Sequence, residues 1–217
     1  MNETWNTINS VDEQEEKINL IALGNNEVGK TSFILRYVKN EFPESYINTG
    51  GLDFQIKSIT IKSKSYKIYF YDTAGQEKFR TISFNMVKYS DGIVLMYDIT
   101  NKKSFASISQ WINSIKEIKE DNFPLVLIGN KCDLEEKREV TKEEGKKVAD
   151  KFGFLFYETS NKNGKNIEKA CKDLIVKIIK RNEMLIKSGV AAASGAFTRN
   201  SQLTLITAKN NKKKCDC

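Results

Sequence analysis

An α/β fold is predicted, with a six-stranded, mostly parallel sheet that carries helices on both faces. Two observations predict it. Short apolar runs recur from residue 17 to residue 182. Most of these runs are separated by stretches in which apolar residues return every three or four positions, as they do on one face of a helix. The strand candidates are residues 18–23, 53–61, 66–71, 93–98, 125–129 and 154–158.

One pair of strands is predicted to be antiparallel. The segment between residues 53–61 and 66–71 is too short to hold a helix, and a parallel crossover needs a long connection. These two strands therefore form a hairpin, whereas the others run parallel. Ligands of such sheets bind at the carboxyl ends of the strands, so the residues that follow each strand become the candidates for a site.

The helices are predicted from capping and periodicity. Thr141 to Glu144 has the pattern of a capping box, and Val148 and Phe152 then face the core. Two further apolar stripes predict helices: Phe105, Ile108, Ile112 and Ile115 form the first, and Ile167, Ala170, Cys171, Leu174, Ile175 and Ile178 form the second.

Three segments are expected along the chain of 217 residues. Residues 1–16 are polar and acidic, without the features of a signal peptide, and are predicted to be a flexible tail. Residues 17–182 form one domain. Residues 183–217 are a second flexible tail, in which small and polar residues predominate from Ser188. No apolar run approaches the ~20 residues that a membrane-spanning helix needs.

Composition narrows the class of function. A formal net charge of +7 favours acidic partners such as a nucleotide or an anionic membrane. A segment that combines basic and aromatic residues is missing, so nucleic acid is not expected as a partner. The chain has no histidine, which excludes imidazole general-base chemistry and most zinc sites. Its four cysteines form no disulfide framework and indicate a reducing compartment.

A phosphate-binding loop is predicted at Gly24–Thr31, because GNNEVGKT fits the pattern G-x-x-x-x-G-K-[ST] between a strand and a helix. Glycines let successive backbone N–H groups approach a polyphosphate, and the helix N-terminus adds positive potential. Lys30 can reach the β and γ phosphates, and the Thr31 hydroxyl can bind Mg²⁺. The residues expected to contact the nucleotide here are Asn26, Glu27, Val28, Gly29, Lys30, Thr31 and Ser32.

Two further segments supply chemistry for a terminal phosphate. The strand 66–71 runs into Asp72, whose carboxylate is suited to Mg²⁺, and on to Gly75 and Gln76. The N–H of Gly75 can meet the phosphate and Gln76 can orient a water. The polar loop before the hairpin holds Thr49, which either completes the Mg²⁺ ligands or belongs to a plain connector.

The last two strand ends carry a purine-recognition pattern. Residues 125–129 lead into Asn130-Lys131-Cys132-Asp133, and residues 154–158 lead into Thr159-Ser160-Asn161-Lys162. The Asp133 carboxylate can accept two hydrogen bonds from the N1–H and amino group of guanine, and adenine offers no such pair. The N–H of Asn161 can meet guanine O6, and the stems of Lys131 and Lys162 can cover the base.

These four elements, GNNEVGKT, DTAGQE, NKCD and ETSNK, resemble those of the small GTPases of the Ras superfamily over residues 17 to about 181. Within it, YINTGGLDF, DTAGQEKFRTI and the C-terminal Cys-Asp-Cys resemble the Rab family. The resemblance implies a P-loop NTPase of the small G-protein fold that binds GTP or GDP with Mg²⁺. It implies Lys30 and Gln76 as catalytic residues, Thr31, Thr49 and Asp72 on Mg²⁺, Phe42 against the base, Tyr46 and Gly75 at the nucleotide, and a guanine pocket of Asn130, Lys131, Asp133, Ser160, Asn161 and Lys162.

The resemblance also implies regulation and an anchor. Partners would be an exchange factor, a GTPase-activating protein, effectors, a GDP-dissociation inhibitor or escort protein and a geranylgeranyl transferase, with the chain itself a monomer. Cys215 and Cys217 would carry lipid, and two chains give stable anchoring where one gives marginal binding. Lys212, Lys213 and Lys214 add attraction to an anionic leaflet. The expected location is the cytosolic face of an endomembrane or the plasma membrane.

Several positions differ from the family pattern. Glu27 stands where a small residue is usual and is expected to point to solvent. Asn26 can crowd Gln76, and Gly50 replaces an apolar residue after Thr49. Tyr71 takes the place of a tryptophan, and Met86 and Val87 replace two tyrosines, so that a partner-facing set of Phe54, Tyr71 and Met86 is predicted.

Two alternatives remain open at this point. The first is a GTP-binding scaffold of the same fold that hydrolyses GTP negligibly, for which Asn26, Glu27 and Gly50 argue. The second is a phosphotransferase that uses ATP, against which Asp133 argues.

Overall fold

A computed structural model describes residues 15–42, 53–73 and 86–188. Its six strands form one sheet in the order β2-β3-β1-β4-β5-β6. All six predicted strands are confirmed. Their bounds are β1 Glu16–Leu23, β2 Asp53–Ile61, β3 Lys64–Asp72, β4 Gly92–Asp98, β5 Leu125–Asn130 and β6 Leu155–Thr159.

The predicted hairpin is also confirmed. Strands β2 and β3 pair antiparallel, whereas β1 pairs parallel with β3 and β4, β4 with β5, and β5 with β6. Only Lys62 and Ser63 connect the two antiparallel strands, and their φ angles are +49° and +64°. A two-residue turn with both φ angles positive matches the twist of the strands, but it strains residues that have a Cβ atom.

Residues 86–89 are helical, between β3 and β4. Five further α-helices lie within the described ranges, four of them between strands and the last after β6. They are α1 Lys30–Lys39, α2 Lys102–Ala106, α3 Ile108–Lys116, α4 Lys142–Phe152 and α5 Ile167–Lys187. The predicted stripe from Phe105 to Ile115 is therefore divided between two helices at Ser107. Helix α5 continues five residues beyond residue 182, where the C-terminal tail was predicted to begin.

Helices cover the sheet on both faces. On one face, alternate residues of β1, β4 and β5 pack against Ile112 of α3 and Ala149 of α4. On the other, Phe70 of β3 meets Phe33 and Tyr37 of α1, with ring centroids 6.2 Å apart in both pairs. Strands β4 and β5 are buried at every position because both of their faces are covered. The fold class predicted from the sequence is thus confirmed.

Local signals account for the position of helix α4. The Thr141 hydroxyl accepts a hydrogen bond from the Glu144 N–H, and the Glu144 carboxylate accepts one from the Thr141 N–H. Gly153 ends the helix with a φ of +68°. Val148 and Phe152 pack against the core, as the sequence predicts.

The chain divides into two compact units, Met1–Ile175 and Val176–Cys217. The first contains the whole sheet and helices α1 to α4. The described part of the second is helical as far as Lys187. The predicted domain boundaries at residues 17 and 182 remain predictions. Within the described ranges, no helix combines the length and the apolar composition needed to cross a bilayer.

Replacing Ser63 by glycine is expected to stabilise the fold, because glycine adopts a positive φ without strain. The free energy of unfolding should rise by ~1 kcal/mol, less the cost of a more flexible unfolded chain. Urea unfolding followed by circular dichroism measures it. The matched control is Ser65→Gly within strand β3, which should be destabilising. Destabilisation by both substitutions would contradict this account of the turn.

Candidate functional site

The Gly24–Thr31 loop lies between β1 and α1, and its glycines are required by space as well as by conformation. Gly24 has a φ of +139°, and a Cβ atom there would lie 2.3 Å from the Met96 carbonyl oxygen. Gly29 has a φ of +93°, and its Cβ would lie 2.6 Å from Asn130 Nδ2. The loop therefore passes the ends of β4 and β5 at a distance that only glycine permits.

Lys30 is the buried cation of this loop, with 5% of its surface exposed. Its Nζ donates to the Gly24 carbonyl oxygen at 3.1 Å and to that of Asn25 at 3.0 Å. Burial lowers the pKa of Lys30 to about 8, against the opposing effect of the Asp72 charge. A bound anion would favour the charged form, so the position suits a polyphosphate.

Thr31 on α1 and Asp72 at the end of β3 place two oxygen atoms close together, both of a kind that can bind a metal ion. The Thr31 hydroxyl, in the first turn of α1, donates to Asp72 Oδ2 at 2.6 Å. Asp72 ends strand β3 and is 4% exposed. A hydroxyl and a carboxylate beside a phosphate-binding loop are ligands that Mg²⁺ prefers, so these residues fit the ion that the family implies.

Side-chain amides connect the last two strand ends to the phosphate-binding loop. Asn130 is fully buried, and its Nδ2 donates to the Val28 carbonyl at 2.8 Å. Its Oδ1 accepts from the Thr159 hydroxyl at 3.1 Å. Asn161 Nδ2 donates to the Gly29 carbonyl at 2.9 Å, while its buried Oδ1 has no hydrogen-bond partner among the described residues. The structure thus brings together the three segments that sequence reasoning linked.

The residues predicted to contact the base differ in exposure. Asp133 and Lys162 are exposed, whereas Ser160 is fully buried. Lys131 adopts a φ of +67°, and its Nζ forms an ion pair with Asp98 Oδ2 at 2.6 Å. This ion pair holds the Lys131 ammonium against a carboxylate at the end of β4. Asp133 is accessible from solvent.

The remaining predicted residues divide into two groups. Glu27 is exposed, as expected for a carboxylate in this loop, and Asn26 is exposed beside it. Val28 is buried, Ser32 is half-buried, and Phe42 is 43% exposed. The second group lies outside the described residues: Tyr46, Thr49, Gly75, Gln76, Cys215 and Cys217.

Sequence reasoning missed a polar connection behind the phosphate-binding loop. The indole N–H of Trp111, on α3, donates to Asn25 Oδ1 at 2.9 Å. Asn25 Nδ2 in turn donates to the Ser107 hydroxyl at 3.0 Å. The position of Trp111, one residue from the apolar stripe, was the available signal. No signal in the sequence indicates the Lys131–Asp98 ion pair, because the two residues are distant in sequence.

The Ras family model matches residues 19–180, which include five whole strands, most of β1 and every predicted site residue except the two C-terminal cysteines. This match covers most of the chain. A sheet with one antiparallel edge strand and a glycine loop at its centre is the fold that such a match implies. The chain therefore belongs to the Ras family.

Relatives narrow the class further. The chain is 41% identical to human Ras-related protein Rab-3D over 177 residues, 81% of each chain. It is 40% identical to Ras-related protein Rab-13 of Mesocricetus auratus over 197 residues, 90% of this chain and 94% of that one. Human Rab-3A is 38% identical over 82% of this chain and 80% of its own length. The chain is a Rab-like small GTPase that binds and hydrolyses GTP and acts in vesicle-mediated traffic, the general role of that family.

Replacing Trp111 by phenylalanine should cost ~1–2 kcal/mol of unfolding free energy or more, because Asn25 Oδ1 loses its donor and the buried indole is replaced by a smaller ring. Urea unfolding measures the loss. Trp5→Phe, in the segment predicted to be a tail, should change nothing. Equal stability of the Trp111 variant and the unsubstituted protein would show that the Trp111–Asn25 hydrogen bond does not stabilise the loop.

Proposed function

We propose that a guanine nucleotide with Mg²⁺ binds along the carboxyl ends of the strands and that its terminal phosphate controls partner binding. The observation that supports this most is the convergence of two other chain segments on the phosphate-binding loop. Asn130 and Asn161 bond the carbonyls of Val28 and Gly29, so the base-recognition residues and the phosphate-binding loop have a fixed separation.

Each end of the nucleotide has its own residues in this proposal. Lys30 neutralises the β and γ phosphates, and the N–H groups of Asn26, Glu27, Val28 and Gly29 surround them. Asp133 accepts from the guanine N1–H and amino group. Ser160, Asn161 and Lys162 meet guanine O6 from the opposite loop, and Phe42 packs against the base. Lys131 covers one face of the base through its stem.

Mg²⁺ is proposed to bind to Thr31, with Thr49 and Asp72 completing its surroundings, and when bound it neutralises charge on the phosphates. Asp72 accepts a hydrogen bond from the Thr31 hydroxyl and so orients the hydroxyl oxygen beside the loop. By family resemblance, Gln76 orients the attacking water and Gly75 offers its N–H to the terminal phosphate.

Hydrolysis by the chain alone is proposed to be slow. The reaction needs a positive charge near the transferred phosphate, and an activating protein commonly supplies it as an arginine, worth ~10³–10⁵-fold. Arg138 cannot supply this charge, because its guanidinium donates hydrogen bonds to the carboxylates of Glu135 and Glu158. The expected partners follow from this: an activating protein, an exchange factor that releases GDP, and effectors.

An exposed aromatic surface on the edge hairpin is the proposed effector contact. Phe54 is 50% exposed on β2, with ring centroids 6.3 Å from Tyr69 and 6.0 Å from Tyr71. Ile56, on the same strand, is 40% exposed. Met86, which the sequence assigned to this surface, is half-buried against the core together with Tyr71. Phe54 is thus the most exposed of the three residues predicted to face a partner.

A lipid anchor completes the proposal. Geranylgeranyl groups on Cys215 and Cys217, attached by a transferase and shielded by an escort protein, would hold the chain at the cytosolic face of a membrane. The support is the Rab resemblance of the Cys-Asp-Cys ending and the three lysines before it.

The nucleotide that leaves the denatured protein tests the base assignment, and it should be GDP or GTP. Asp133→Asn should then weaken GDP binding ~10³-fold or more and improve binding of xanthosine diphosphate, because an amide donor now faces the 2-oxo group. Competition binding against a fluorescent nucleotide measures both. Asp150→Asn, on the exposed surface of α4, is the control. Release of an adenine nucleotide would refute guanine recognition.

Thr31→Asn should remove most of the gain in nucleotide affinity that Mg²⁺ provides, because the hydroxyl ligand is lost while Lys30 remains. GTP affinity should fall ~10-fold or more in Mg²⁺ and change much less in EDTA. Titration calorimetry under both conditions measures this. Thr60→Asn, on exposed strand β2, is the matched control. An equal loss with and without the metal would argue against Thr31 as its ligand.

A further inference from the structure

Arg36, on helix α1, joins two segments that are far apart in sequence. Its Nε donates to the Asn161 carbonyl at 2.8 Å, and its Nη2 donates to the Lys162 carbonyl at 2.8 Å. Its Nη1 donates to the Asn40 carbonyl at 3.0 Å and to Asn40 Oδ1 at 3.3 Å. One guanidinium therefore donates hydrogen bonds to the predicted base-binding loop, residues 160–164, and to the residue that caps the C-terminal end of α1.

Only arginine has the geometry for these contacts. The guanidinium is planar and presents its donors in a rigid fork, so it can serve carbonyls on two separate segments at once. The ammonium of a lysine is a single point on a flexible stem and cannot reach both sides. The loss of the fork would leave the carbonyls of Asn161 and Lys162 without these donors.

The base-binding loop depends on this external contact. Internal bonds close the loop, since the Gly164 N–H donates to the Ser160 carbonyl at 2.9 Å and the Asn163 N–H to the Ser160 hydroxyl at 3.3 Å. They shape the loop but do not orient it relative to the rest of the molecule. The loop is oriented by the hydrogen bond from Asn161 Nδ2 to the Gly29 carbonyl and by those from Arg36 to two successive carbonyls of the loop.

The other side of the guanidinium faces the segment that leads to Phe42. Asn40 caps helix α1 with a φ of +58°, and its N–H donates to the Arg36 carbonyl at 3.1 Å. Both the backbone and the side chain of Arg36 therefore hold Asn40. The guanidinium carbon also lies 6.0 Å from the centre of the Phe42 ring, within the range of a cation–π contact.

We propose that Arg36 is a positioning residue that holds the base-binding loop, residues 160–164, in a fixed orientation relative to residues 40–42. In this way it slows the release of guanine nucleotide. It touches neither phosphate nor metal in this scheme. Its effect passes through Asn161 and Lys162 to guanine O6 and through Phe42 to the base. The inference rests on the proposed guanine site and adds a residue on α1 that the nucleotide motifs do not contain.

Arg36→Lys tests the proposal, because it keeps the charge and the stem but loses the fork. GDP release from the loaded full-length protein, followed by stopped-flow fluorescence, should be about 10-fold faster. The matched control is Lys39→Gln, which removes a positive charge from an exposed position of the same helix and should leave the rate unchanged.

Two comparisons separate positioning of the base from a general structural effect. The acceleration should be the same in Mg²⁺ and in EDTA, because Arg36 acts on the base side and the metal on the phosphate side. It should also be the same for inosine diphosphate, which keeps O6 but lacks the amino group that faces Asp133. An acceleration that disappears in EDTA, a rate within twofold of the unsubstituted protein, or an equal effect of Lys39→Gln would overturn the proposal.

A measurement on the unsubstituted protein decides the matter if the Arg36 variant does not fold. GDP loading should slow amide hydrogen exchange at residues 40–42 and 160–164 together. Protection of the loop alone would overturn the proposal. A failure of the guanine site itself is distinguishable, because the unsubstituted protein would then retain no guanine nucleotide in any arm of the experiment.

Discussion

The close approach of the phosphate-binding loop to two asparagine side chains is the constraint on which the site depends. Gly29 has no Cβ, so Asn130 and Asn161 can reach the carbonyls of Val28 and Gly29. The Val28 carbonyl accepts its hydrogen bond from Asn130, and the Gly29 carbonyl accepts from Asn161 in addition to the Phe33 N–H at 2.9 Å. The same bonds fix the distance between the loop and the two base-recognition strands. Glycine conformation, amide chemistry and strand order thus act together. A side chain at position 29 would clash with both amides, and removal of the Asn130 amide would take its donor from the Val28 carbonyl.

The sheet explains why residues distant in sequence act at one place. Strands β1, β4, β5 and β6 run parallel, so their carboxyl ends lie side by side at the same end of the sheet. Burial of β4 and β5 on both faces makes that end rigid, which suits a site that must hold a charged ligand without rearrangement. Flexibility is not needed in the pocket itself. The exposed Phe54 and Ile56 lie on β2, an edge strand of the sheet.

Much of this could be predicted from sequence because the signals are local. Apolar runs gave all six strands, the short 62–65 segment gave the hairpin, and the Thr141 capping box gave the start of α4. Motifs of a few residues predicted the loop and the convergence of Lys30, Thr31, Asn130 and Asn161. The roles of Arg36, Trp111 and Asp98 could not be predicted, since each depends on a partner elsewhere in the chain and no spacing rule records it. The break at Ser107 was missed because helical spacing continues across it, and the burial of Met86 depends on tertiary packing.

The bond from Asn161 to the Gly29 carbonyl spans 132 positions of the chain. During synthesis on the ribosome, the phosphate-binding loop emerges long before the residue that completes its environment. A nascent chain that ends before Asn161 has the glycine loop and Lys30 but lacks the last donor and the strand that carries it. Under the proposed function, tight nucleotide binding is therefore expected only after the chain has been synthesised through Asn161.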